Sequence, residues 1–159
     1  YSALVFEKIL QAPFVPGAQA ALERLHGLGV PVFVASGTPQ EELDRIVERR
    51  GLGRCFAGVW GSPTEKTEAL RAVRASRGVA PGEMLFVGDG LLDYEAAASE
   101  GVPFLARALS DSGVDWDAAA VPNTPDLTPL AELGLRRRVT IPARRKGVPA
   151  LTLTVAPQP

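Results

Sequence analysis

The sequence is poor in the residues that build covalent or zinc-based scaffolds. It has one cysteine, Cys55, and one histidine, His26. A single cysteine cannot form an intrachain disulfide, which fits a reducing cytoplasm, and the two residues are too few for a zinc site of Cys and His ligands. No apolar run approaches the roughly 18 residues of a membrane span, and no signal-peptide pattern opens the chain. We therefore expect a cytoplasmic globular protein that has no membrane partner.

Methionine and C-terminal acidic residues are also scarce. Met84 is the only methionine and position 1 is Tyr, so we expect part of the natural chain to lie upstream. All 18 acidic residues lie in residues 1–135 together with 11 of the 17 basic ones, whereas residues 136–159 carry six basic residues, four prolines and no acid. An acidic body is thus followed by a basic tail.

Between residues 16 and 126, helix-like and strand-like segments alternate. Short apolar runs such as VPVFVA at 30–35 are typical of strands buried on both faces of a parallel sheet. Segments with apolar residues at helical spacing, closed by glycine, separate these runs. The alternation predicts an α/β fold, a Rossmann-like parallel sheet with helices on both faces. We predict strands at 30–35, 56–60, 84–87 and 102–106, and helices at 18–28, 39–50, 63–73 and 92–100.

Two segments have the pattern of a helical capping box with proline at the first helical position. They are TPQE at 38–41 and SPTE at 62–65. We expect Thr38 to cap the first helix and Ser62 the second. Residues 151–155 (LTLTV) alternate like a half-buried strand, and they could form a hairpin, an edge strand or a disordered extension.

Two carboxylates follow the run MLFV at the end of a predicted buried strand. Asp89 lies between Gly88 and Gly90, and Asp93 falls in the first turn of the next helix. Carboxylates placed beside a tight glycine turn suit a hard, oxygen-ligated cation such as Mg²⁺. A helix-start acid interacting with the dipole would explain Asp93 equally well, but not Asp89. We therefore predict a metal site at Asp89 and Asp93.

Polar residues also follow the two preceding strands. Ser36 and Gly37 are predicted in a strand-to-helix turn, where a hydroxyl and free backbone N–H groups can bind an anion. Lys66 is predicted in the first turn of a helix, where a cation is unfavourable unless an anion lies nearby. Taken singly, Ser36 could be a turn residue and Lys66 a solvated surface lysine. A hydroxyl, a lysine and an acid pair at successive strand ends together indicate phosphoryl transfer.

These motifs resemble those of the haloacid dehalogenase-like hydrolases. VFVASGT, ending at Ser36, is similar to the family's second motif, Lys66 to its third and GDGLLD at 88–93 to its fourth, of the form GDxxxD. The runs PGAQAALERLHGLGVPVFVASGTPQEEL and MLFVGDGLLDYEAAASEGVP resemble its phosphoglycolate-phosphatase-like branch. The resemblance covers residues 12–135, and only the fourth motif is fairly specific by itself.

The resemblance implies a Mg²⁺-dependent phosphohydrolase that acts on a small phosphorylated metabolite. Asp89 would bind Mg²⁺, and Asp93 would support it through water or through the lysine. Ser36, with Gly37, would hydrogen-bond the phosphoryl group, and Lys66 would neutralise its charge. The catalytic set implied is therefore Ser36, Lys66, Asp89 and Asp93.

The sequence departs from the family in lacking its first motif, the strand followed by D-x-D-G-[TV] that carries the nucleophilic Asp. The only D-x-D is Asp115-Trp116-Asp117, which follows a polar turn, and we interpret it as an acidic loop. That missing strand is also the centre of the family's sheet, and residues 151–155 are poorly suited to replace it. We therefore divide the chain into a cap remnant or linker at 1–14, an α/β core at 15–135 and a basic extension at 136–159.

Three functions are compatible with these features. The first is the phosphohydrolase core, inactive as this fragment, and the second is a non-catalytic binding or structural module of the same fold. The reading frame upstream of Tyr1 would discriminate between them. The third is nucleic-acid binding by the basic tail, which we do not favour, because the body is acidic and offers no stacking aromatics.

Overall fold

The computed structural model describes residues 3–133, 138–141 and 150–154. None of the helices in these ranges is long and apolar enough to cross a membrane. The helices are α1 (Ala3–Gln11), α2 (Ala18–Gly27), α3 (Gln40–Arg49), α4 (Lys66–Arg77), α5 (Leu91–Ser99) and α6 (Thr128–Glu132). The strands are β1 (Phe33–Pro39), β2 (Gly58–Ser62), β3 (Phe86–Gly88), β4 (Phe104–Arg107), β5 (Asn123–Thr124), β6 (Arg138–Ile141) and β7 (Leu151–Thr154).

The strands of the core are parallel and alternate with helices along the chain. β1 pairs with β2, and β3, β4 and β5 form a second sheet in that order. Parallel strands need crossover connections, and helices α3, α4 and α5 lie between the strands in sequence. The predicted α/β class is confirmed.

The two parallel sheets are separate within the described residues, so β1 and β3 each have one paired edge there. This is the pattern expected when the strand between them is missing. It also corrects the prediction that residues 30–35 are buried on both faces: the apolar side chains Phe33, Val34 and Ala35 are only half-buried. A strand paired along one edge keeps part of its surface in contact with solvent.

The described part of the tail forms an antiparallel hairpin of β6 and β7. Of the three possibilities for residues 151–155, the structure therefore has the hairpin, while Val155 lies outside the described residues. Leu151 packs against the cluster that contains Leu105, Leu130 and Leu133. The hairpin does not pair with β1 or β3, so β7 does not replace the missing strand.

Both predicted capping boxes are wrong. β1 continues through Pro39, which pairs with Ser62, so α3 begins only at Gln40 and has no side-chain cap. α4 begins at Lys66, and its capping box is formed by Glu65 and Glu68, three residues later than predicted. Strand pairing holds both segments extended where local sequence favoured a helix start.

The other strand bounds also differ from the predicted ones. β2, β3 and β4 each begin two residues later than expected, because their extent is set by pairing with neighbouring strands. β5 was missed because it has only two residues, Asn123 and Thr124, both polar and flanked by prolines. Both side chains are nevertheless buried.

The core lies on both faces of β4. Leu105 is fully buried on one face, while Phe104 and Ala106 point to the other. On that second face, Tyr94 and Trp116 pack edge-on or tilted against Phe104, with ring centroids 5.6 and 5.8 Å from it. Burial of a side chain such as Leu105 contributes about 1.5–3 kcal/mol. β4 is thus the rigid support for the loops at its carboxyl end.

Candidate active site

The amino ends of α4 and α5 meet in an ion pair between Lys66 and Asp93. Lys66 is the first residue of α4, and Asp93 is the third residue of α5. Asp93 is buried, with 7% of its surface exposed, and Lys66 is half-buried. The carboxylate is therefore the anion that makes a lysine acceptable at the positive end of a helix dipole. The structure brings together two predicted residues that lie 27 positions apart.

Asp93 is held at both of its oxygen atoms. Oδ1 binds Lys66, and Oδ2 accepts a hydrogen bond of 3.0 Å from the backbone N–H of Gly90. A Cβ atom built on Gly88 would lie only 2.5 Å from Cβ of Asp93. Glycine is therefore needed at position 88 because the Asp93 side chain occupies the adjoining space.

Asp89 lies in a different environment from Asp93. It follows β3 directly, and 51% of its side chain is exposed. Its Oδ2 lies 3.8 Å from a terminal nitrogen of Arg107, which is the last residue of β4. Sequence reasoning missed Arg107, because its proximity to Asp89 depends on the pairing of β3 with β4.

The donors present suit Mg²⁺ at Asp89. Mg²⁺ in proteins keeps several waters and is bound by one or two carboxylates, and Asp89 offers an accessible one. The oxygens of Asp93 already have partners, which suits a supporting role. Across the described residues, no three Asp, Glu, His or Cys side chains converge as a ready-made metal cluster.

Ser36 and Gly37 lie within β1 and not in the turn that follows it, which corrects their predicted setting. The hydroxyl of Ser36 donates to the hydroxyl of Thr38 at 3.0 Å and accepts from the Thr38 backbone N–H at 3.2 Å. Thr38 therefore holds Ser36 and does not cap α3. The phosphate-binding role of Ser36 and Gly37 stays a prediction.

Gln40 joins the carboxyl ends of β1 and β2, which sequence reasoning also missed. Its Oε1 accepts from the Gly61 N–H at 2.6 Å, and its Nε2 donates to the Val59 carbonyl at 3.3 Å. A Cβ atom on Gly61 would lie 2.6 Å from the carbonyl oxygen of Thr38. Because β1 and β2 approach this closely, Ser36 on β1 and the start of α4, which follows β2, are held at the same edge of the sheet.

A second group of charges fixes α4 against α5. Arg71 donates to Glu100 at 2.8 Å, and Arg74 lies 3.5 Å from the same carboxylate. The hydrogen bond and charge of Glu100 raise the pKa of Arg71 above its ordinary value. Arg71 therefore stays charged, and the contact supports the alignment of Lys66 with Asp93.

The Asp115-Trp116-Asp117 segment is a structural loop, as interpreted from the sequence. Asp115 accepts from the Ala118 N–H at 2.9 Å, and Asp117 accepts from the Asn123 side chain at 2.8 Å. Trp116 is buried in the core. Both acids thus organise the connection between β4 and β5.

Comparison with known proteins agrees with this geometry. Residues 3–101 match the family model of haloacid dehalogenase-like hydrolases. This match covers more than half of the chain and includes β1 to β3 with Ser36, Lys66, Asp89 and Asp93. The chain belongs to the haloacid dehalogenase-like hydrolase family.

Several of the individual relatives are phosphoglycolate phosphatases. The chain is 31% identical over 96 residues to a phosphoglycolate phosphatase of Pseudomonas savastanoi pv. phaseolicola, across 57% of this chain and 35% of that protein. Its fold is similar to a predicted phosphoglycolate phosphatase of Haemophilus somnus, with a TM-score of 0.69 at 18% identity, covering 82% of this chain and 62% of the other. A haloacid dehalogenase superfamily hydrolase of Geobacter sulfurreducens gives 0.64 at 24% identity, covering 80% and 64%. The chain thus spans about a third of the first relative's length.

Proposed function

We propose that this chain is the phosphate- and metal-binding core of a Mg²⁺-dependent phosphohydrolase acting on a small phosphate monoester. The observation that carries the proposal is the partly buried Lys66–Asp93 ion pair beside the accessible carboxylate of Asp89. Family membership and relatives that are phosphoglycolate phosphatases support it. A cytoplasmic location, which the single cysteine favours, belongs to the same proposal.

Each residue has a distinct role in this proposal. Asp89 holds Mg²⁺, which when bound neutralises charge on the phosphoryl oxygens. Lys66 supplies a positive charge to the same group and is oriented by Asp93. Ser36 turns its hydroxyl from Thr38 to donate a hydrogen bond to a phosphoryl oxygen, and the backbone N–H of Gly37 donates a second one. Phosphoglycolate is the first substrate to test, because several relatives of this chain are phosphoglycolate phosphatases.

The nucleophile is not among these residues. The 159 residues contain no D-x-D-G-[TV] segment, and the single D-x-D is committed to the loop described above. We therefore propose that this chain by itself binds phosphate but does not turn substrate over.

This proposal predicts negligible hydrolysis of p-nitrophenyl phosphate by the 159-residue chain in the presence of Mg²⁺. The reason is the missing acceptor for the phosphoryl group. A steady-state assay would compare the chain with its Asp89→Ala variant, and both should match the buffer rate. Robust activity that disappears on Asp89→Ala would refute the proposal and require another nucleophile. A longer natural form with the D-x-D-G-[TV] strand should be active and should lose activity on Lys66→Ala or Asp89→Asn.

A second candidate is a non-catalytic binding or structural module of the same fold. The contact between Arg107 and Asp89 favours it, because a cation already neutralises the proposed metal ligand. An intact natural start without the D-x-D-G-[TV] strand would support this candidate. The presence of that strand upstream would support the enzyme.

A further inference from the structure

Arg107 and Asp89 lie side by side because of the sheet register. Gly88 of β3 pairs with Ala106 of β4, so the next residue of each strand emerges at the same level of the parallel sheet. These next residues are Asp89 and Arg107. Their contact therefore follows from the register of two core strands, with Arg107 at the end of β4 and Asp89 in the bend directly after β3.

The Arg107 side chain is partly buried but poorly satisfied. It is 27% exposed, and its buried Nε has no hydrogen-bond partner among the described residues. Its terminal nitrogen lies 3.8 Å from Asp89, within ion-pair distance but beyond a normal hydrogen bond. Asp89 provides charge compensation without fully satisfying the guanidinium.

The charges at this edge of the sheet are matched in pairs. Lys66 neutralises Asp93, and Arg107 neutralises Asp89. A divalent cation that binds Asp89 would find this carboxylate already paired with Arg107. The guanidinium would then lie close to the bound cation. Like charges at this distance repel, although solvent around a half-exposed carboxylate screens the effect.

We propose that Arg107 is a positioning residue that competes with the metal ion for Asp89. The guanidinium holds the carboxylate in the metal-free protein and gives it up when the cation binds. This inference rests on the proposed role of Asp89 as a metal ligand. It means that Arg107 weakens the binding of Mg²⁺ to Asp89, so the residue at position 107 modulates the metal affinity of the chain.

The test is a metal titration of the purified 159-residue chain, with Mn²⁺ as the spectroscopic probe and Mg²⁺ as the competitor. The loss of the free Mn²⁺ paramagnetic signal gives the dissociation constant without any activity measurement. Arg107→Met should tighten Mn²⁺ binding by about threefold or more, the scale expected for removing a partly screened ion pair. The effect should shrink as the ionic strength rises.

Two control variants separate charge competition from other causes. Arg107→Lys keeps the cation and should bind within about twofold of the original protein, since the competing charge is retained. Arg77→Met makes the same substitution on the exposed end of α4 and should change nothing, which controls for net charge. Thermal unfolding of each variant confirms that it is folded before titration.

The outcomes distinguish failure of this inference from failure of the proposed function. If Arg107→Met binds Mn²⁺ no more tightly than the original protein, the proposed competition is overturned. The metal site itself still stands in that case if Asp89→Asn abolishes Mn²⁺ binding. Tighter binding by Arg77→Met to the same extent also overturns it, because net charge would then be the cause. An absence of measurable Mn²⁺ binding in every variant, Arg107→Met included, overturns both.

Discussion

The residues of the candidate site differ in how well the local sequence predicts their contacts. The pairing of Lys66 with Asp93 follows from a recognisable motif, and the structure shows the contact. Arg107 and Gln40 carry no such signal, because their partners are 18 and 21 residues away, Asp89 directly after β3 and Gly61 on β2. A side chain whose role depends on strand pairing cannot be found before the pairing is known.

Gly88 provides a prediction at this scale. Gly88→Ala should destabilise the protein by about 1–3 kcal/mol, the usual cost of forcing extra atoms into filled space. The new methyl group would lie 2.5 Å from Cβ of Asp93, so the ion pair with Lys66 must shift. Urea unfolding measures the change. Gly37→Ala is the matched control, since a Cβ at Gly37 meets no atom within 4 Å and should cost far less. Equal effects at the two positions would contradict the prediction.

At the scale of elements, sequence patterns identify the kind of each segment better than its ends. The apolar runs predict the strands β1 to β4, and the helical spacing of Leu43, Val47, Leu70 and Val73 predicts the buried faces of α3 and α4. The starts of these helices were predicted too early, because Pro39 and Ser62 are held in strand pairing. β5, with only two residues, has no periodicity to detect.

Gln40 provides the prediction for this scale, because it joins β1 and β2 at their carboxyl ends. Gln40→Ala removes the acceptor of the Gly61 N–H and should cost about 1 kcal/mol, as for a typical partly buried hydrogen bond. The two strand ends should also separate more easily, so amide hydrogen exchange at Gly61 should accelerate. Gln19→Ala, at an exposed position of α2, is the control and should leave both measurements unchanged. Slow exchange at Gly61 in Gln40→Ala would show that other contacts hold the strands together.

At the scale of the whole molecule, charge is distributed unequally between body and tail. The six basic residues of 136–159 follow a body with net charge −7, and part of this extension forms the β6–β7 hairpin. Leu151 anchors the hairpin to the core through apolar contact. We therefore interpret β6 and β7, the described part of the tail, as attached to the core at Leu151, and the basic charge of 136–159 as solubilising.

This interpretation predicts the behaviour of the chain with nucleic acid. At about 150 mM salt, fluorescence anisotropy should detect no binding to a short DNA duplex at micromolar protein, because the acidic body opposes phosphate contact. Replacing Arg144, Arg145 and Lys146 by Gln, which retains both hairpin strands, should therefore change nothing. Binding that weakens steeply with salt and disappears in this variant would establish a nucleic-acid surface in the tail.

The ion pair between Lys66 and Asp93 has a further consequence when it is considered with the contacts of Glu100. One contact joins the beginnings of α4 and α5, and the other joins Arg71 and Arg74 of α4 to the residue that ends α5. These contacts hold α5 at its beginning and at its end, and α4 at its first residue and its middle, so we expect the two helices to open together over that span. The candidate site therefore depends on the packing of two helices against each other, so loosening of α5 at Glu100 should also weaken the contact of Asp93 with Lys66.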